Sequence, residues 1–119
     1  MLFPKVVCVG ANLESELALK CLIDNNVNVV GLITLPAGVY RGVSDYRDLH
    51  DLAYDAELAV LDTKDINTFS TINFLQELKA DYIFVLGWSQ ILREELMSSV
   101  SCFVVGSHPS PLPKRRGRA

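Results

Sequence analysis

An open, mostly parallel α/β sheet with helices on both faces is the fold this sequence predicts, and three observations predict it. Short apolar, β-branched runs alternate with segments whose apolar residues recur at helical spacing. The runs are apolar at successive positions rather than at alternate ones, as strands covered on both faces read. With 119 residues, 50% hydrophobic and 21% charged, the chain has material for one core, so the alternation belongs to one domain.

Residues 5–10 form the first apolar run and end in Gly10, which predicts a central strand. Asn12 offers an N-cap, and Leu13, Leu17 and Cys21 with Ala18 and Leu22 mark the apolar face of a helix of about three turns. The turn at Asp24, Asn25 and Asn26 closes it. Residues 27–35 predict a second strand running into a loop over 36–43 that carries Pro36 and Gly38. Ser44 can cap a short helix with Tyr46, Leu49, Leu52 and Ala53 inward, and residues 57–62 predict a third strand. A helix starting at Thr63 or Asp65 would place Ile66, Phe69, Ile72, Leu75 and Leu78 in one stripe. Residues 82–87 are the most strand-like run. Leu92, Leu96 and Val100 suggest a further helix, and residues 101–105 a fifth strand.

Composition narrows the function. No apolar run approaches the roughly 20 residues that span a bilayer, and the N-terminal residues do not read as a secretory signal, so a soluble, cytoplasmic protein is expected. Cys8, Cys21 and Cys102 lie in apolar-looking segments and read as small core residues of a reducing compartment. His50 and His108 have no cysteine or second histidine nearby, which argues against a structural metal site. The net charge is -3, and four of the eleven basic residues, Lys114, Arg115, Arg116 and Arg118, crowd the last six positions. An acidic body with a short basic tail argues against nucleic acid as the main partner.

In open sheets of this kind ligands bind outside the carboxyl ends of the strands, where the strand order switches. Gly10, Ala11 and Asn12 supply a close backbone approach and a helix N-terminus able to hold an anion. A glycine needed only for the turn explains them equally well. Positions 12 and 15 are Asn and Ser, so the glycine pattern of dinucleotide-binding folds is absent. Trp88 could cover a flat ligand or simply be buried at a helix start, and Ser89 and Gln90 are polar groups at the same rim. His108 directly follows the fifth strand, with Pro109, Pro111 and Pro113 stiffening the exit, and an imidazole titrates near neutral pH.

The run from His108 to Ala119, HPSPLPKRRGRA, resembles the signature of the tetrahydrofolate-dependent formyltransferases, the family of methionyl-tRNA, glycinamide ribonucleotide and sugar N-formyltransferases. Residues 87–92, GWSQIL, fall where that family has its folate-contacting loop, and the βα order fits the whole length. The resemblance implies a Rossmann-like catalytic domain, of which residues 1–119 would be the N-terminal, incomplete part, with the sheet truncated on its C-terminal side and an edge exposed. It implies 10-formyltetrahydrofolate as formyl donor and no metal. The acceptor it implies is the primary amine of a small molecule or amino-sugar nucleotide, ranked ahead of methionyl-tRNA because the body is acidic.

The same resemblance assigns roles. His108 would stabilise the tetrahedral oxyanion and shuttle a proton. Trp88, Ser89, Gln90, Ile91 and Leu92 would hold the folate, and Gly10, Ala11, Asn12 and Ser110 would meet the acceptor. Two departures stand out. The family's catalytic Asn lies two residues before the His, where this chain has Gly106; Ser107, alternating to the opposite face of a strand, is no replacement. The family's catalytic Asp lies beyond the His motif, and no acidic residue follows Glu95 here. The 119 residues alone are therefore expected to be inactive. A hydrolase passing the formyl group to water, and a non-catalytic binding module, are the competing readings.

Overall fold

The computed structural model describes residues 3–39 and 43–106. Five strands, β1 (Val6–Val9), β2 (Val29–Thr34), β3 (Ala59–Asp62), β4 (Tyr82–Val85) and β5 (Phe103–Gly106), form one sheet in the order β3-β2-β1-β4-β5. Every pairing is parallel. The helices are α1 (Leu13–Asp24), α2 (His50–Asp55), α3 (Phe69–Leu78) and α4 (Glu94–Ser98). The chain winds outward from β1 through β2 to β3, returns across β1 to β4, and continues to β5. Right-handed crossovers running in opposite directions put α1 and α2 on one face and α3 and α4 on the other.

Side-chain alternation along the buried central strand divides the core into two layers. Val6 and Cys8 pack with Leu19, Leu32, Leu49 and Ala53 under α1 and α2. Val7 and Val9 pack with Ile33, Ile66, Leu75, Ile83 and Leu96 under α3 and α4. This explains why the β1 run is apolar at every position. The sheet edges are wetter: β3 is largely exposed, and Phe103 on β5 is 71% exposed.

Several expectations are corrected. The inward face of α1 is Ser15 and Leu19 with Leu22 and Ile23, whereas Leu17 is 59% exposed and Cys21 lies at the surface. A polar residue sets the phase, because Ser15 turns inward to bond the end of β4. Of the cysteines only Cys8 is fully buried, and burial pushes its thiol up to about 12. Ser44 does not cap α2. That helix starts six residues later, where the Asp48 carboxylate accepts the His50 N–H at 2.9 Å. Helix α3 begins at Phe69 behind the N-cap Thr68, so Ile66 is a buried loop residue and Phe69 is 78% exposed. The strands are shorter than the apolar runs.

Candidate active site

The switch in strand order falls between β1 and β4, and the residues leaving those strands are stitched together. Asn12 caps α1 by accepting the Ser15 N–H at 2.9 Å, and its Nδ2 donates to the Gly87 carbonyl at 3.1 Å. The Ser15 hydroxyl bonds the Leu86 carbonyl, and the Leu86 N–H donates to the Val9 carbonyl at 2.8 Å. The two glycines here are demanded by space. A Cβ on Gly10 would overlap Ser15 Oγ and the Leu86 carbonyl oxygen, and Gly87, at φ +72°, lies against the Asn12 side chain. The Gly10 turn thus has a structural reason, and the side chain of Asn12 is committed to holding the cleft.

A cavity of about 460 Å³ opens above this junction. Ala11 and Asn12 from the β1 end, Leu35 from the β2 end, Lys64 beyond β3, and Gly87, Trp88, Ser89 and Gln90 beyond β4 line it, with Val39, Val43 and Ser44 across from them. The volume lies within the roughly 300–1,000 Å³ typical of small-molecule sites. A flat indole, four aliphatic side chains and several amide or hydroxyl groups suit a planar heterocycle with polar edges, so the residues present fit a folate. Among the described residues Lys64 is the only charged one in the lining. The sequence carried no signal for it.

Both walls are held by hydrogen bonds, one through backbone groups and the other through the Gln90 side chain. On one side, Asn12 bridges Tyr46, the Leu13 N–H donates to the Asp45 carbonyl, and the Arg47 N–H donates to the Ala11 carbonyl. On the other, Gln90 Oε1 accepts the Ile66 N–H at 2.6 Å while its Nε2 donates to Asp65 at 2.8 Å. Trp88 Nε1 reaches the same Gln90 oxygen at 3.4 Å. Trp88 is only partly buried, so its ring packs on the core yet still lines the cavity.

The residues expected at the site therefore separate into groups. Ala11, Asn12, Trp88, Ser89 and Gln90 meet in one cavity, with Gly10 directly behind them. Ile91 and Leu92 are not brought into the lining: Ile91 points outward, and Leu92 packs on the core. His108 and Ser110 lie outside the described residues. Gly106 ends β5, opposite Val85 of β4. Among the described residues no cluster of His, Cys, Asp or Glu has the arrangement of a metal site. No described helix is long and apolar enough to cross a membrane.

A second cluster braces the rim. His50 Nδ1 lies 2.6 Å from Asp48 and its Nε2 2.7 Å from Asp62, at the end of β3. The hydrogen bonds to Asp62 and Asp48 raise the imidazole above its ordinary value of 6.5 against an opposing effect of burial, and the His50 backbone and ring bonds lower Asp48 below 3.8. A raised histidine pKa contributes stability that is fully present below pH 6.5 and lost as pH rises through the folded value. The lowered Asp48 contributes above pH 3.8 and is lost as pH falls through its own folded value. The stability lost in His50→Ala, about 0.5–1 kcal/mol for such an exposed cluster, should be largest between about pH 4 and 6.5. Urea titrations across pH test this; a difference that grows above pH 8 would contradict it.

No family model matches the chain. The relatives it resembles are methionyl-tRNA formyltransferases: that of Rickettsia bellii is 28% identical over 117 residues, and that of Thermotoga maritima 32% over 116. These alignments take in 97% and 95% of this chain but only 38% and 37% of the relatives. The chain thus spans less than two-fifths of their length. In structure it resembles a glycinamide ribonucleotide transformylase from Symbiobacterium toebii, with TM-score 0.65 and 16% identity, over 97% of this chain and 56% of that one. It also resembles the phosphoribosylglycinamide formyltransferase of Streptococcus pneumoniae, with TM-score 0.68 and 15% identity, over 95% and 61%. These likenesses show the fold. The ranking of an amino-sugar acceptor ahead of tRNA finds no support in these names. Sequence relatives along nearly its whole length and a five-stranded parallel sheet of the same architecture make this chain similar to the formyltransferases.

Proposed function

We propose that the chain forms the donor-binding part of a site that transfers a formyl group from 10-formyltetrahydrofolate to a primary amine. The observation that carries this reading is the convergence of Trp88, Ser89 and Gln90 with Ala11 and Asn12 in one cavity at the switch in strand order. Methionyl-tRNA is the first acceptor to test, because the sequence relatives are named for it. A small amino-sugar nucleotide is second. A cytoplasmic location goes with this reading.

The amine nitrogen attacks the formyl carbon, the carbonyl oxygen takes up the negative charge, and collapse expels N10 of the folate. His108 is the residue to donate a hydrogen bond to that oxyanion and carry the proton from the attacking to the leaving nitrogen. A polypeptide of these 119 residues alone binds donor in this account but does not turn it over, since no carboxylate follows Glu95.

The test is a chimera in which the 119 residues replace the corresponding segment of the Thermotoga maritima relative. With 10-formyltetrahydrofolate it should formylate methionyl-tRNA, and His108→Ala should lower the rate about a hundredfold or more. Formate release without any acceptor would favour a hydrolase. No turnover from a folded chimera, with donor still bound, would favour a non-catalytic module.

A further inference from the structure

We infer that Asp65 and Asn67, on the loop after β3, are positioning residues that hold residues 88–93 in their ligand-binding shape. The inference rests on the proposed function, since Trp88, Ser89 and Gln90 of this segment are taken there as lining the donor-binding cavity.

Between β4 and α4 the chain has no helix or strand of its own. An irregular segment keeps one shape only if its backbone groups find partners elsewhere. Here one side chain supplies two of them. Asn67 Nδ2 donates to the Ile91 carbonyl at 2.9 Å, and its Oδ1 accepts the Arg93 N–H at 2.8 Å. Bonding a carbonyl and the N–H two residues further on is what a neighbouring strand does along one edge of a ladder. The Asn67 carboxamide thus takes the place of a missing strand residue.

Only a group with a donor and an acceptor in one short plane can do this. A carboxylate at position 67 would keep the Arg93 bond and face the Ile91 carbonyl with like partial charge. Asp65 orients the pair. Its Oδ1 accepts the Asn67 N–H at 2.9 Å and the Gln90 Nε2 at 2.8 Å, fixing the loop that carries Asn67 and the side chain that lines the cavity. Neither Asp65 nor Asn67 lines the cavity itself, so they act through Gln90, Ile91 and Arg93.

The experiment titrates the 119-residue chain and its Asn67→Ala and Asp65→Ala variants with 5-formyltetrahydrofolate by calorimetry, at a temperature where circular dichroism finds all three folded. Hydrogen exchange of the Arg93 amide is read in parallel. Each variant should bind roughly tenfold more weakly, and the Arg93 amide should exchange faster in Asn67→Ala. Asn67→Asp, which is isosteric and keeps the Arg93 bond, should fall between, and it serves if the alanine variant does not fold. Donor affinity unchanged in the variants while the unsubstituted chain binds would overturn the inference and leave the functional reading standing. No binding by the unsubstituted chain would overturn that reading, and this inference with it.

Discussion

Gly10→Ala should leave the chain largely unfolded. The methyl group would overlap Ser15 Oγ, which could swing away, and the Leu86 carbonyl oxygen, which could not, because the Leu86 N–H is bonded to Val9 across the β1–β4 junction. Overpacking costs about 1–3 kcal/mol where neighbours can yield. Separating two central strands adds the loss of buried hydrogen bonds, about 1–3 kcal/mol for each group left unsatisfied. The sum is a large share of the roughly 5–15 kcal/mol that holds a typical domain together. Urea denaturation followed by Trp88 fluorescence measures it. Adding Ser15→Ala should not restore stability, because the carbonyl remains. Gly106→Ala, where the nearest atom of the described residues to a new Cβ is Val85 Cβ at 3.9 Å, should be close to neutral. Equal stability of Gly10→Ala and the unsubstituted chain would contradict the packing described for the switch point.

The second large effect is a gain. At Gly106 this chain lacks the amide that the family resemblance places two residues before the histidine. The described surroundings do not exclude it: among the described residues nothing stands closer to a Cβ on Gly106 than Val85. Because loss of one oxyanion donor costs on the order of a hundredfold in rate or more, Gly106→Asn in the chimera should raise kcat by roughly that factor. Donor affinity should change little, since an interaction made only in the transition state leaves ground-state binding alone. A folded Gly106→Asn chimera with unchanged kcat would mean that another group already serves the oxyanion.

Much of the fold was legible because its strands are short and apolar and the central one, β1, is covered on both faces, and such runs admit few other readings. What escaped the sequence did so for physical reasons. Ser15 is polar and buried, so the apolar spacing that found Leu22 missed it and took in the exposed Leu17 and Cys21. Ile66 fits the stripe of α3 by spacing but belongs to the loop before it, while Phe69 opens the helix at the surface.

At the site, the strand ends could be named from topology alone, and the cavity brings the polar rim of residues 88–90 to the Gly10 turn. The supporting shell could not. Asn67 meets Ile91 and Arg93, and His50 meets Asp62, through single side-chain contacts across the fold that leave no periodic trace. Lys64 is a lone surface-type residue in the sequence and becomes informative only when the cavity shows it as the one charge among the described lining residues.

The central claim is that the cleft between the ends of β1 and β4 receives the formyl donor. The most direct measurement is an amide-resolved NMR titration of the chain with 5-formyltetrahydrofolate. The account predicts saturable shifts concentrated at Ala11, Asn12 and residues 87–90, with the indole N–H of Trp88 among the largest. Shifts confined to the opposite end of the sheet, around Ala80 and Ser99, or none at millimolar ligand, would contradict it.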